Sequence, residues 1–166
     1  MRGGSGPKIA IAQAQSAAEL TEAGAIFREY AASLDVDLCF QGFDEELANL
    51  PGAYASPSGA LLLARVDGVL AGCVAVQPRP DADEPNACEL KRLYVRPVFR
   101  GIGLGRLLAR RAIDCARTGG YSAILLDTLD EMEAARELYV TLGFEEVPPY
   151  YFSPLPGAHY LRAYLD

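Results

Sequence analysis

The chain has 166 residues, with 15 Lys and Arg against 22 Asp and Glu, a formal net charge of −7. That length suits one domain with its own core, and 51% hydrophobic with 22% charged residues describes a globular chain and excludes a disordered one. An acidic balance of this size disfavours general binding to nucleic acid or anionic membrane.

Residues 1–7 read as a flexible leader, and 8–166 as one domain. Ile9-Ala10-Ile11-Ala12 suits a first strand. Ser16 followed by Glu19 forms a capping box for a helix whose apolar positions are Leu20, Ala23, Ile26, Phe27 and Tyr30. Asp35 to Gly42 is irregular, Phe43 to Leu50 suits a short second helix, and 51–59 is loop. Ala60–Val66 and Val69–Gln77 are apolar runs joined by Asp67-Gly68, a two-residue hairpin signal. Pro78 to Asn86 reads as an exposed loop and Ala87–Val95 as a further strand. Leu104, Leu107, Leu108, Ala112 and Cys115 trace one face of a helix that Gly119-Gly120 ends. Ala123–Leu129 suits a buried strand and Glu131–Leu142 a helix with Met132, Ala135, Tyr139 and Leu142 on one face. Phe144–Val147 and His159–Leu165 close the chain as strands. This order gives a single α/β domain with a mixed sheet.

Cys39, Cys73, Cys88 and Cys115 form no CxxC pair, and His159 is the single histidine, so no metal site is expected and a Ser-His-Asp triad has little to draw on. No run reaches 18 apolar residues and no secretory core follows Met1, which makes a cytoplasmic setting the expectation.

Charge is unevenly spread. Between Cys88 and Arg111, Lys91, Arg92, Arg96, Arg100, Arg106, Arg110 and Arg111 stand against Glu89 alone, a net +6 that leaves the other 142 residues at −13. Within this island lies Arg100-Gly101-Ile102-Gly103-Leu104-Gly105, between a strand and a helix start. Glycines let backbone approach a ligand closely, and a helix N-terminus behind them favours an anion such as pyrophosphate. A glycine turn with solvated arginines is the plainer alternative. Arg106-Leu107 after Gly105 does not fit the Lys-Ser/Thr of a nucleotide phosphate loop, and GxGxG after about the fourth strand does not fit a dinucleotide fingerprint.

Arg100-x-x-Gly103-x-Gly105 resembles the coenzyme A pyrophosphate loop of the GNAT superfamily of N-acetyltransferases. The strand end Leu93-Tyr94-Val95 before it, and Leu138-Tyr139 with Leu142-Gly143-Phe144 about 34 residues after it, extend the resemblance from about residue 8 to 165. The resemblance implies a mixed, mostly antiparallel sheet flanked by helices and splayed between strands four and five, with acetyl-CoA as co-substrate. It further implies that backbone groups of Leu93, Tyr94 and Val95 track the acyl-pantetheine. Arg100, Gly101, Ile102, Gly103, Leu104, Gly105 and Arg106 would hold the phosphates. The family often has Asn where this chain has Met132; Thr128 or backbone is the implied replacement.

Tyr139 is the first catalytic candidate, as an O–H able to stabilise or protonate a leaving thiolate; a core tyrosine is its alternative. Glu89 is the candidate base, unless it simply pairs with Lys91 or Arg92; Lys91 beside Arg92 reads as solvated. Tyr150, Tyr151 and His159 are weaker candidates near the C-terminal hairpin. Cys73 and Cys88 lie in apolar strands, where an inert thiol is expected, so direct transfer is favoured over an acyl-enzyme. Phe40 and Gln41 in the loop between the early helices, and Tyr150 in the aromatic Pro148–Pro156 stretch, are placed at the acceptor. The expected function is acetyl transfer to a primary amine of a small molecule, with no nucleic-acid or membrane partner and a homodimer left open. A protein or peptide N-acetyltransferase, or a non-catalytic acyl-CoA-binding module, are the alternatives. The acidic remainder would favour a cationic amine.

Overall fold

The computed structural model describes residues 6–34, 42–129, 133–150 and 157–165. Its strands are β1 (Ile9–Gln13), β2 (Ala60–Val66), β3 (Val69–Pro78), β4 (Ala87–Val95), β5 (Ala123–Leu129), β6 (Glu145–Val147) and β7 (Ala158–Tyr164). They form one sheet in the order β1-β2-β3-β4-β5-β7-β6. Every pairing is antiparallel except β4–β5. Four helices accompany them: α1 (Ala17–Ser33), α2 (Phe43–Ala48), α3 (Leu104–Thr118) and α4 (Glu133–Thr141).

Local chemistry sets the joints. The Ser16 hydroxyl accepts from the Glu19 amide at 3.1 Å and the Glu19 carboxylate accepts from the Ser16 amide at 3.0 Å, closing the expected capping box at the start of α1. Asp67 and Gly68 both take positive φ (50° and 84°), the requirement of a tight two-residue turn, and join β2 to β3 in the register Val66↔Val69.

Two apolar layers cover the sheet. Leu104, Leu108, Ala112, Ile113 and Ala116 of α3 pack on Leu62, Val74, Val76, Leu90, Ile124 and Leu126, with Tyr139 of α4 and Phe144 beside them. Leu107, read from the sequence as part of this face, is exposed instead; the buried stripe runs one step round the helix, through Ala109, Ile113 and Ala116. On the opposite face Ile26 and Phe27 of α1 meet Leu61, Leu63, Cys73, Ala75 and Tyr94, together with Phe43 and Tyr54. Phe27 is fully buried, so truncation to alanine costs about 3–5 kcal/mol.

Two irregularities in β4 prepare the site. Against β3 the register runs Ala75↔Lys91 and then Cys73↔Tyr94, so Val74 faces both Arg92 and Leu93. Arg92 takes φ 61° at this bulge. Gly72 allows the bulge to sit so close: a Cβ there would lie 2.7 Å from the Tyr94 carbonyl oxygen. Against β5, only Ala87, Cys88 and Glu89 pair, with Ala123, Ile124 and Leu125. Beyond Glu89 the strands part.

Candidate active site

The opening between β4 and β5 begins at the last shared rung, Glu89↔Leu125. Regular pairing of Glu89, Leu90 and Lys91 with Gln77, Val76 and Ala75 puts Glu89 and Lys91 on the α1–α2 side and Leu90 on the α3 side. On β5, Asp127 shares the side of Leu125, whereas Thr128 shares that of Ile124 and Leu126 and is buried.

Glu89 is 1% exposed. Its Oε1 accepts from Gln77 Nε2 at 2.8 Å and from Arg79 Nη1 at 3.5 Å, and its Oε2 from the Tyr150 hydroxyl at 2.7 Å. Tyr150 is fixed in turn by an edge contact with Tyr160 (5.3 Å between centroids) and by the Arg79 guanidinium 5.6 Å from its ring centre. These donors satisfy a carboxylate that burial would otherwise penalise.

Next to it lies a buried charge pair. Arg92, 4% exposed, donates from Nε and Nη2 to both oxygens of Glu46 on α2, at 2.9 and 2.7 Å. Its guanidinium lies 5.2 Å from the centre of the Phe43 ring. Burial opposes its charge, but the Glu46 fork outweighs that and raises its pKa. The Tyr54 phenol is pushed up by burial and by its hydrogen bond to Glu46. Burial also pushes Tyr30, on α1, up to about 12, with Arg92 and Asp127 among the charges it feels. The expectation that Glu89 pairs with Arg92, or that the two basic residues are solvated, is therefore corrected. Arg79 serves Glu89, Glu46 serves Arg92, and Lys91 is half-buried with its pKa lowered by burial.

Tyr139 of α4 lies in the α3-side layer. It is 6% exposed, packed edge-on against Phe144, and its pKa is raised by burial and further by Tyr30 and Asp127. Those two groups belong to the other side of the sheet.

The glycine segment follows a single 3-10 turn, Pro97–Phe99. Gly101 and Gly103 adopt φ 86° and 80°, with open space where a side chain would begin. Gly103 caps α3 without any side-chain hydrogen bond, and the first helical bond is Leu107 N–H to the Gly103 carbonyl, which leaves the amides of Leu104, Gly105 and Arg106 without intrahelical acceptors. A Cβ on Gly105 would lie 3.9 Å from both Val95 and Leu138, so the loop is seated between the end of β4 and α4. Arg100 donates from Nε to the Val95 carbonyl at 2.9 Å, and Arg106 reaches Thr141 of α4 at 2.9 Å. An anion-bearing cofactor of the coenzyme A type fits this open cradle of amides with arginines at its rim.

Leu93 and Val95 are half-buried on the α3 side and Tyr94 is buried on the other, its hydroxyl donating to Glu29 at 3.0 Å. Past Glu89 the edge of β4 that faces β5 carries no ladder. Glu89, Tyr150, Thr128, Leu93–Val95 and the glycine segment thus lie along or beside the β4–β5 opening, with Tyr139 in the α3-side layer. His159 lies on β7 directly opposite Thr128, with Nδ1 3.1 Å from Glu146 of β6. Phe40, Gln41, Met132 and Tyr151 lie outside the described residues. Sequence reading missed Gln77, Arg79, Glu46, Tyr30 and Asp127. Gln77 was the one legible member, a polar residue ending the apolar β3 run opposite Glu89. Among the described residues, no three His, Cys, Asp or Glu side chains cluster to hold a metal, and no helix is long and apolar enough to cross a membrane.

The model of the Acetyltransferase (GNAT) family matches residues 25–144. An uncharacterized N-acetyltransferase of Schizosaccharomyces pombe is 41% identical over 155 residues, covering 93% of this chain and 93% of that protein. The N-acetylaspartate synthetase of Danio rerio is 37% identical over 113 residues, covering 68% of this chain and 39% of that protein. An acetyltransferase of Salmonella typhimurium, solved with its cofactor acetyl-CoA, superposes with a TM-score of 0.71 at 23% identity, covering 95% of this chain and 94% of that one.

Proposed function

The chain belongs to the GNAT family of acetyltransferases, whose acetyl donor is acetyl-CoA, and from that premise we propose that it acetylates a primary amine of a small molecule by direct attack in a ternary complex. The observation that carries the reading is the buried, triply hydrogen-bonded Glu89 carboxylate on the last β4–β5 rung, with Tyr139 buried in the layer on the other side of the sheet.

Acetyl-CoA supplies the acetyl group as an activated thioester. The amides of Leu104–Arg106 and the positive-φ backbone of Gly101 and Gly103, with Ile102 between them, receive the phosphates, and Arg100 and Arg106 add side-chain donors. The unladdered edge through Leu93, Tyr94 and Val95 offers backbone groups to the pantetheine arm and acyl carbonyl, with Thr128 facing them from β5. Glu89 takes a proton from the amine, directly or through water. Gln77, Arg79 and Tyr150 aim its carboxylate, and Tyr150 borders the acceptor. Phe40 and Gln41 complete the acceptor wall in this reading. The Tyr139 phenol, held neutral because burial raises its pKa, donates to the leaving sulfur.

Direct attack is favoured because burial raises the Cys73 thiol and pushes Cys88 up to about 12, leaving neither as a ready nucleophile. A small acceptor is favoured by the relative whose name gives N-acetylaspartate as its product. The soluble domain of this reading works in the cytoplasm, without metal.

The test is thiol release from acetyl-CoA with a panel of small amines and of peptide N-termini. Release is expected with small amines, and Tyr139→Phe is expected to lower kcat by about 10²–10⁴ with little change in KM for acetyl-CoA. Release with peptides alone overturns the small-molecule reading. Undiminished kcat in Tyr139→Phe removes that residue from the mechanism.

A further inference from the structure

Glu89, the base of the proposed reaction, is closed to direct contact. It is 1% exposed and its oxygens are taken: Oε1 accepts from Gln77 Nε2 at 2.8 Å and from Arg79 Nη1 at 3.5 Å, and Oε2 from the Tyr150 hydroxyl at 2.7 Å. A base works within hydrogen-bond reach of the proton it removes, or through a group that joins the two. The three donors differ in what they can carry. A guanidinium keeps its protons and has no acceptor, and an amide NH2 donates without accepting, whereas a phenol hydroxyl donates and accepts at one oxygen. Of these described donors on Glu89, Tyr150 alone can take a proton while handing its own to the carboxylate. Its placement suits that role. Tyr150 is half-buried where Glu89 is buried, and it packs against the cluster of Ala87, Ala123 and Leu125. Leu125 is the partner of Glu89 on the last β4–β5 rung, so the phenol stands beside the point where the strands part. The edge contact with Tyr160 and the Arg79 guanidinium over its ring hold the hydroxyl on Oε2 before any acceptor arrives.

We infer that Tyr150 is a catalytic residue, whose hydroxyl oxygen receives the proton of the attacking amine and passes the phenol proton to Glu89 Oε2. This deepens the proposed reaction and rests on it, since it states the path by which the base of that reaction is reached. The amine nitrogen bonds to the acetyl carbonyl carbon, and its N–H proton moves to the Tyr150 oxygen as the phenol proton moves to Glu89. The thioester C–S bond breaks, and the departing sulfur takes the Tyr139 proton. Tyr150 starts and ends neutral. Glu89 ends protonated and Tyr139 ionised, and exchange with water returns both between turnovers. The Gln77 and Arg79 contacts need not break, so the carboxylate stays aimed while its charge is neutralised.

The experiment measures kcat by thiol release from acetyl-CoA, with the fastest acceptor among ethylamine, ethanolamine, putrescine, glycine and alanine as the probe. Tyr150→Phe keeps the ring and removes the relay; kcat is expected to fall about 10²-fold or more, as in Glu89→Gln, with the KM for acetyl-CoA little changed. Two further variants of similar reach separate relaying from aiming. Tyr150→Gln can donate to Glu89 but cannot pass a proton, whereas Tyr150→His can donate at one ring nitrogen and accept at the other. Tyr150→His is expected to exceed Tyr150→Gln in kcat by roughly tenfold. A thermal shift with acetyl-CoA checks that each variant is folded and binds the donor. A kcat in Tyr150→Phe within a few-fold of wild type, or a Tyr150→His no faster than Tyr150→Gln, overturns the inference and leaves the acetyltransferase reading standing. Undiminished kcat in Glu89→Gln removes the base itself, and release with none of the probe amines overturns the small-amine reading; either takes this inference with it.

Discussion

On the α3 side of the sheet the buried core cluster is apolar, and the arginines of the island lie at the surface (Arg100, Arg110 and Arg111 exposed, Arg106 partly), where Arg100 and Arg111 donate to the Val95 and Ile11 carbonyls. On the α1–α2 side the charges are inside: Glu89 at 1% exposure, Arg92 at 4%, each with its own set of donors or acceptors. The first arrangement suits a large polyanion that arrives with water and leaves, because exposed cations need no fixed partner. The second holds geometry: a buried charge is tolerable only if its partners stay in place, and those partners tie α2, β3 and the Tyr150 segment to β4. The donor side is therefore expected to be governed by backbone shape and the acceptor side by side-chain pairing.

The largest test of that contrast is Glu46→Ala. It leaves the Arg92 guanidinium buried without its fork, and stability is expected to fall by about 3–5 kcal/mol, a drop in Tm of roughly 10 °C, read by thermal melting. Arg106→Ala on the donor side removes only the part-exposed contact with Thr141, and about 0.5 kcal/mol or less is expected. Similar losses at both sites would break the distinction.

A smaller test separates backbone shape from stability. Gly103 and Gly120 bracket α3 with nearly equal φ, 80° and 85°, and both have open space at the Cβ position. Gly103→Ala and Gly120→Ala should each cost about 1–2 kcal/mol of stability from left-handed strain. Only Gly103→Ala is expected to raise the KM for acetyl-CoA as well, by several-fold. Equal KM values in the two variants would detach the loop from the donor.

What the sequence revealed follows the same division. The glycine segment was legible because positive φ and a helix start have local signatures: Gly101 and Gly103 take positive φ, and Gly105 lies in the first turn of α3. The capping box at Ser16 and the Asp67-Gly68 turn were legible for the same reason. The acceptor side was not. Glu46 reads as one acid among several on a short helix, and only the fold carries it 46 residues along the chain to Arg92. Arg96 was likewise counted with the phosphate-binding island, yet it pairs with Glu29 on α1 at 3.1 Å. A charge count along the chain adds neighbours in sequence, whereas the bulge at Arg92 and the alternation of β4 send those neighbours to opposite layers. The +6 island is two half-islands with different partners.

The smallest expected effect is a pH dependence confined to the acceptor side. Burial lowers the Lys91 pKa from 10.5; Arg92 adds to the shift, while Glu89, Asp127 and Glu46 oppose it. A lowered value means that Lys91 loses its charge at a pH below 10.5, as pH rises. Tyr139, shifted the other way by burial, keeps its proton over the same range and adds no slope to the comparison with Lys91→Met. By linkage, the unfolded chain binds more protons at Lys91 than the folded one in this window. Stability relative to Lys91→Met should thus rise with pH there. Thermal melting from neutral pH upward, in the wild type and in Lys91→Met, checks the assignment. A Tm difference that moves in favour of the wild type as pH approaches 10.5 locates the titration at residue 91; parallel curves would move it to another group.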